Sequence, residues 1–170
     1  MRALRVVGLG GVVVAAACGN PYKEELERNR NFQCNDRTAS YVVMGGLAAH
    51  ELGVMIDCRE AGPRIVQWKA DQDGTRDEQT QSLTVTEFER VWEKIDSSGW
   101  RYLEDCAGTG GDNDPAYSFD VNDWNGHAEF ACTNAGPLPY PYNVMVDQLD
   151  LLAAEKAKRD TSTKKDPDDP

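Results

Sequence analysis

The sequence predicts an α+β fold: a small antiparallel sheet of about five strands in the order β-β-β-α-β-β-α, with two helices packed on one face and two disulfides. Three observations carry this. Short runs with a period of two are separated by turn residues, as in half-buried strands. Two longer segments carry apolar residues at helical spacing, each after a strand group. Four cysteines lie within the same stretch. Antiparallel strands with helices gathered on one side form a stable layered arrangement.

The elements follow in order. Ser40 to Met44 is a β-rich run broken by Gly45-Gly46. Leu52, Val54, Ile56 and Cys58 alternate as one face of a strand. Gly62-Pro63 reads as a turn, and Arg64 to Ala70 as a third strand. Residues 71 to 81 are polar and read as a loop. Thr84 and Glu87 then have capping-box spacing, which satisfies free amides at a helix start. Phe88, Val91, Trp92 and Ile95 form one helix face, and Gly99 supplies the stop. A flexible loop spans 107 to 115. Tyr117, Phe119 and Val121 alternate, as do Ala128, Phe130 and Cys132, with Asn125-Gly126 between them. Asn-Gly favours a type I′ hairpin, and pairing outward from it sets Val121 opposite Phe130 and Phe119 opposite Cys132. A proline-rich connector at 137 to 142 leads to a last amphipathic helix marked by Val146, Leu149, Leu152 and Ala153, with Asn143 as N-cap.

The N-terminus carries different information. Arg2 and Arg5 precede an uncharged apolar run from Val6 to Ala17, followed by Cys18. As a helix those twelve residues reach about 18 Å, short of the ~30 Å hydrocarbon core, so the segment fits a secretory signal and not a span. Ala15-Ala16-Ala17-Cys18 resembles the bacterial lipobox, with Ala15 where leucine is usual. The resemblance implies cleavage before Cys18 and acylation of it, hence a lipid-anchored cell-envelope protein. Gly19 stands where an aspartate retains some lipoproteins in the inner membrane, which favours the outer one. The chain then divides into a signal peptide at 1–17, the lipidated cysteine and a tether at 18–33, one domain at 34–156, and a disordered tail at 157–170. The tail has too little apolar surface to offset its ordering entropy.

Cysteine parity agrees. Five cysteines less Cys18 leave Cys34, Cys58, Cys106 and Cys132, an even set for an oxidising compartment. Three pairings are open, and sequence alone does not choose among them. Cys34 with Cys58 and Cys106 with Cys132 is preferred, because each pair flanks a contiguous unit.

The chemistry is sparse. Removing Arg2 and Arg5 from 18 basic residues leaves 16 against 29 acidic, a net of −13. That excludes a basic nucleic-acid footprint. Asp71-Gln72-Asp73-Gly74 hints at a calcium loop, but alignment on Gly74 puts Lys69 and Thr80 where an EF-hand needs carboxylates. There is no HExxH, no GxSxG and no P-loop, so no cofactor and no metal are expected. The two histidines, His50 and His127, sit in a loop and beside a turn. Trp124 lies at the hairpin tip, where its indole is expected to be exposed, and such residues are enriched at interfaces.

One family resemblance stands out. The run from Met44 to Glu51 (MGGLAAHE) looks like the GGFAG segment of emfourin-type proteins, small bacterial inhibitors of thermolysin-like metalloproteinases. LTVTEFERVWEKI, DPAYSFDVNDWNGHAEF and the closing helix follow the same pattern, covering about residues 40 to 154. Leu47 replaces the usual phenylalanine, and Ala49 a glycine. The cysteines, the lipid anchor and the RIVQWKA strand are not features of that family. The lack of a catalytic constellation, the disulfides and the loops at 45–51 and 123–126 point to a non-catalytic protein-binding module, with Gly45, Gly46 and Leu47 as candidate contacts in the first loop. The resemblance carries over no inhibitory residue by position and implies a proteinase as partner. Trp124 is a second candidate contact. The alternative is an envelope hydrolase using His50 or His127, and a third reading is an assembly lipoprotein.

Overall fold

The computed structural model describes residues 27, 30–45, 51–59, 61–111 and 114–163. Cys18, Gly46, Leu47 and His50 lie outside them. The chain divides into Met1–Asn31 and Phe32–Pro170. In the first unit Glu27, Arg30 and Asn31 are helical.

The second unit is α+β. Its strands are β1 (Thr38–Met44), β2 (Glu51–Arg59), β3 (Gly62–Ala70), β4 (Arg76–Ser82), β5 (Cys106–Ala107), β6 (Ala116–Asp123) and β7 (Gly126–Thr133). Helix α1 (Val85–Ser97) follows β4, a 3-10 turn covers Trp100–Tyr102, and α2 (Tyr142–Thr163) closes the chain. The sheet has seven strands in the order β4-β3-β2-β1-β6-β7-β5. Every neighbouring pair is antiparallel except β5 with β7. The sheet is therefore mixed and larger than the five strands expected from sequence.

Alternation explains which side is covered. Ala39, Tyr41, Val54, Ile56, Ile65, Phe119, Val121 and Phe130 fall on one face and are buried. They join Phe88, Val91, Trp92 and Ile95 of α1 and Met145, Leu149 and Leu152 of α2 in a single core, with Trp100 fully enclosed. Each large side chain removed from water contributes about 1.5–3 kcal/mol, and that burial is what selects this face. Helix α1 starts with the capping box read from sequence: Thr84 accepts from the Glu87 amide, and Glu87 accepts from the Thr84 amide. Gly99, at φ +73°, follows its end.

Several boundaries differ from the sequence reading. The polar stretch 71–81 is not one loop: residues 71–75 turn, and Arg76–Ser82 pair with β3 along its length. The turn between β2 and β3 precedes Gly62, which pairs with Arg59, and Pro63 is already in β3. The β6–β7 register is two residues off expectation. Phe119 faces Phe130, Val121 faces Ala128, and Tyr117 faces Cys132. The turn centre is Trp124-Asn125, not Asn125-Gly126. Neither has positive φ, and Asp first with Gly fourth is the composition of a type I turn. The two-residue shift keeps the same side chains on the buried face.

The domain also reaches past the expected limits of 34 and 156. Phe32 packs edge-on against Phe88, with ring centroids 6.1 Å apart, and the Arg37 guanidinium lies over both rings, 5.4 Å from Phe32 and 4.9 Å from Phe88. Helix α2 continues to Thr163, into the stretch read as a disordered tail, where Arg159 binds Glu87 of α1 alongside Lys156 from the last position of the expected domain. Asn143 is not a cap; it lies inside the first turn and donates to Asp147. Both bridges have the preferred pairing, Cys34 with Cys58 and Cys106 with Cys132.

Candidate functional site

The β6–β7 tip is built from short polar side chains acting on backbone. Asp123 Oδ1 accepts from the Asn125 amide at 2.8 Å, which fixes the turn. Asp123 Oδ2 accepts from Arg101, and Arg101 also donates to Asp96 at 2.6 Å, so the 3-10 turn supports the tip from below. The Arg101 guanidinium lies 4.2 Å from the Trp100 ring centroid. Its hydrogen bond to Asp96 raises its pKa above the ordinary value.

A second loop braces the tip from the side. The Trp124 amide donates to the Asn35 carbonyl at 3.1 Å, and Asn122 Nδ2 to the Asp36 carbonyl at 2.9 Å. Asn35 and Asp36 both have φ of +52°, and the Arg37 amide returns to the Cys34 carbonyl. Consecutive left-handed residues are what a tight turn of primed type needs, and Asn and Asp tolerate that conformation best. The Cys34–Cys58 bridge ties this turn to β2. Nothing in the alternation pattern marks it, although the Asn-Asp pair next to a cysteine is a usable signal. The outcome is a Trp124 side chain on rigid backbone with 73% of its surface exposed. Tyr102, next to Arg101, is also exposed.

The other expected contact lies elsewhere. Gly45 follows β1 at φ +90°, close to the backbone of Asp114 and Pro115. Met44 precedes it and is exposed, as is Leu52, which pairs with Val43. Thr38 pairs with Asn122 beside the hairpin tip, whereas Met44 pairs with Ala116 at the far end of β6. Gly45 and Trp124 thus sit at opposite ends of β1, about 20 Å apart at ~3.3 Å per residue. They do not form one small contact surface.

His127 projects from the sheet face that the helices leave open, with Asp120 and Glu129 beside it, and all three are exposed. Two other polar clusters have structural explanations. Tyr41 donates to Asp150 and so ties β1 to α2; burial, together with that carboxylate, raises its pKa. Asp57 is fully buried on the open face and is held by Arg64 and Arg59.

Among the described residues no helix is long and apolar enough to cross a membrane. No protein-family model matches this chain, and no curated protein matches it.

Proposed function

We propose that this chain is a non-catalytic lipoprotein of the bacterial cell envelope whose domain binds another protein, with Trp124 at the centre of the contact. The observation that carries this is the exposed Trp124 indole on a tip held by Asp123, Asn35 and the Cys34–Cys58 bridge. A large rigid aromatic group contributes much contact area at little entropy cost, which is why tryptophan dominates interface hot spots. The resemblance to emfourin-type inhibitors makes thermolysin-like proteinases the first partners to test.

Inhibition of a panel of such proteinases by the purified chain is the direct assay. Trp124→Ala is expected to weaken the interaction at least tenfold, the scale of a hot-spot loss, with an unchanged melting temperature. Leu47→Asp is the comparison in the segment that follows Gly45. If Leu47→Asp abolishes inhibition and Trp124→Ala does not, the contact lies at the Gly45 end. If no proteinase is inhibited at micromolar concentration, the inhibitor reading falls.

The anchor is tested separately. Mass spectrometry of the mature protein is expected to show loss of residues 1–17 and an acylated Cys18, and Cys18→Ala should block that processing. Fractionation should recover the wild type with the outer membrane. High salt should not release it, because more than one acyl chain gives stable anchoring. A mature form starting at another residue would refute the lipoprotein reading.

A further inference from the structure

We propose that Asp120, His127 and Glu129 bind a divalent transition-metal ion, zinc in the first instance, on the open face of β6 and β7. His127 and Glu129 are two apart on β7 and so share a face, and Asp120 is directly opposite Glu129 on β6. His127 Nε2 lies 3.4 Å from Asp120 Oδ1 and 3.6 Å from Glu129 Oε1. These separations exceed a normal hydrogen bond, at about 2.7–3.2 Å. They match the edge of a tetrahedron around zinc, about 3.3–3.5 Å for metal–ligand bonds of about 2.0–2.1 Å. All three ligand atoms lie within 4.8 Å of one another, and the two carboxylates are exposed, so a rotamer adjustment closes the third edge.

A second observation also points to a cation. Like charges directly opposite on neighbouring strands are unfavourable, yet Asp120 faces Glu129 in register. Among the described residues no lysine or arginine pairs with either; their only ion-pair partner is His127. Asp105, which accepts from the Ala131 amide, lines the same groove and adds further negative potential. An imidazole with two carboxylates is a nitrogen and oxygen set that suits zinc over calcium or magnesium. Three protein ligands leave a fourth position toward solvent, open to water or to a donor from a partner.

The test is a competition titration of zinc between the purified full chain in detergent and a fluorescent chelator. One ion per chain with micromolar affinity is expected. Asp120→Asn, His127→Ala and Glu129→Gln should each weaken binding at least tenfold at an unchanged melting temperature, since all three side chains are exposed. The chain has two histidines, so proton spectra should show two ring Hε1 signals. Zinc should shift the one that His127→Ala removes. No binding at 100 micromolar zinc, or binding unchanged in all three variants, would overturn the site. Displacement of zinc by an equal concentration of calcium would overturn the assigned metal class.

Discussion

Cys106→Ala/Cys132→Ala is expected to destabilise the domain by about 2–5 kcal/mol, the usual cost of losing a native bridge in a small disulfide-bonded domain. The bridged residues are 26 apart, and closing a loop of that length accounts for about 3 kcal/mol in the chain-entropy model. The native side has its own reason for a large effect. Strand β5 is only Cys106–Ala107, and its contribution to the sheet is the pairing of Cys106 with Cys132 and Ala107 with Thr133. A two-residue parallel edge has few hydrogen bonds of its own, so the bridge holds it in place. Beyond it, Gly108 and Gly110 donate to the carbonyls of Thr133 and Asn134. A Cβ on Gly108 would stand 2.2 Å from the Asn134 carbonyl oxygen, so the loop approaches β7 too closely for any other residue. Thermal unfolding should show a drop of about 10 °C or more, and hydrogen exchange should accelerate first at residues 106–110. An unchanged melting temperature in the double variant would show that the bridge is dispensable.

What the sequence made legible was whatever rests on local chemistry or on a covalent constraint. The capping box at Thr84 and Glu87, the α1 face and the alternation in β2, β6 and β7 each need only a few neighbouring residues. The preferred disulfide pairing followed from the same units. Strand β4 was illegible because nearly all of its side chains face solvent; Gln81 is the one partly covered position. An edge strand with both faces wet has no apolar period to read, and its charges also guard the edge. The end of α2 was missed because Arg159 looks like a tail residue until α1 sets Glu87 beside it. The open-face cluster was hidden by register. Pairing outward from Asn125-Gly126 puts Asp120 opposite Ala131, whereas the observed turn puts it opposite Glu129 and within reach of His127. Trp124 was legible as an exposed candidate because any turn of this length leaves the residue at its tip.

Glu87 carries the second large effect. It sits in the first turn of α1, with its side chain 10% exposed, and joins the two helices. Its Oε2 accepts from the Thr84 amide at 2.8 Å and from Lys156 Nζ at 2.9 Å, and its Oε1 accepts from Arg159 at 2.6 Å. Burial opposes its ionisation, but these donors outweigh burial and lower its pKa from 4.5 to about 2. Because the folded value lies below the unfolded one, the stabilisation is complete above about pH 4.5 and is lost as pH falls toward 2. The depression corresponds to about 3 kcal/mol. Glu87→Ala should cost about 3–5 kcal/mol at neutral pH, because it leaves the nearly buried Lys156 ammonium without this partner and uncaps α1. Glu87→Gln keeps the shape and removes the charge, so it separates packing from ionisation. Urea unfolding of the wild type should show stability falling steeply between pH 4.5 and 2, and Glu87→Gln should flatten that slope. An equal slope in both proteins would assign the acid sensitivity to other carboxylates and leave Glu87 as a packing residue between the helices.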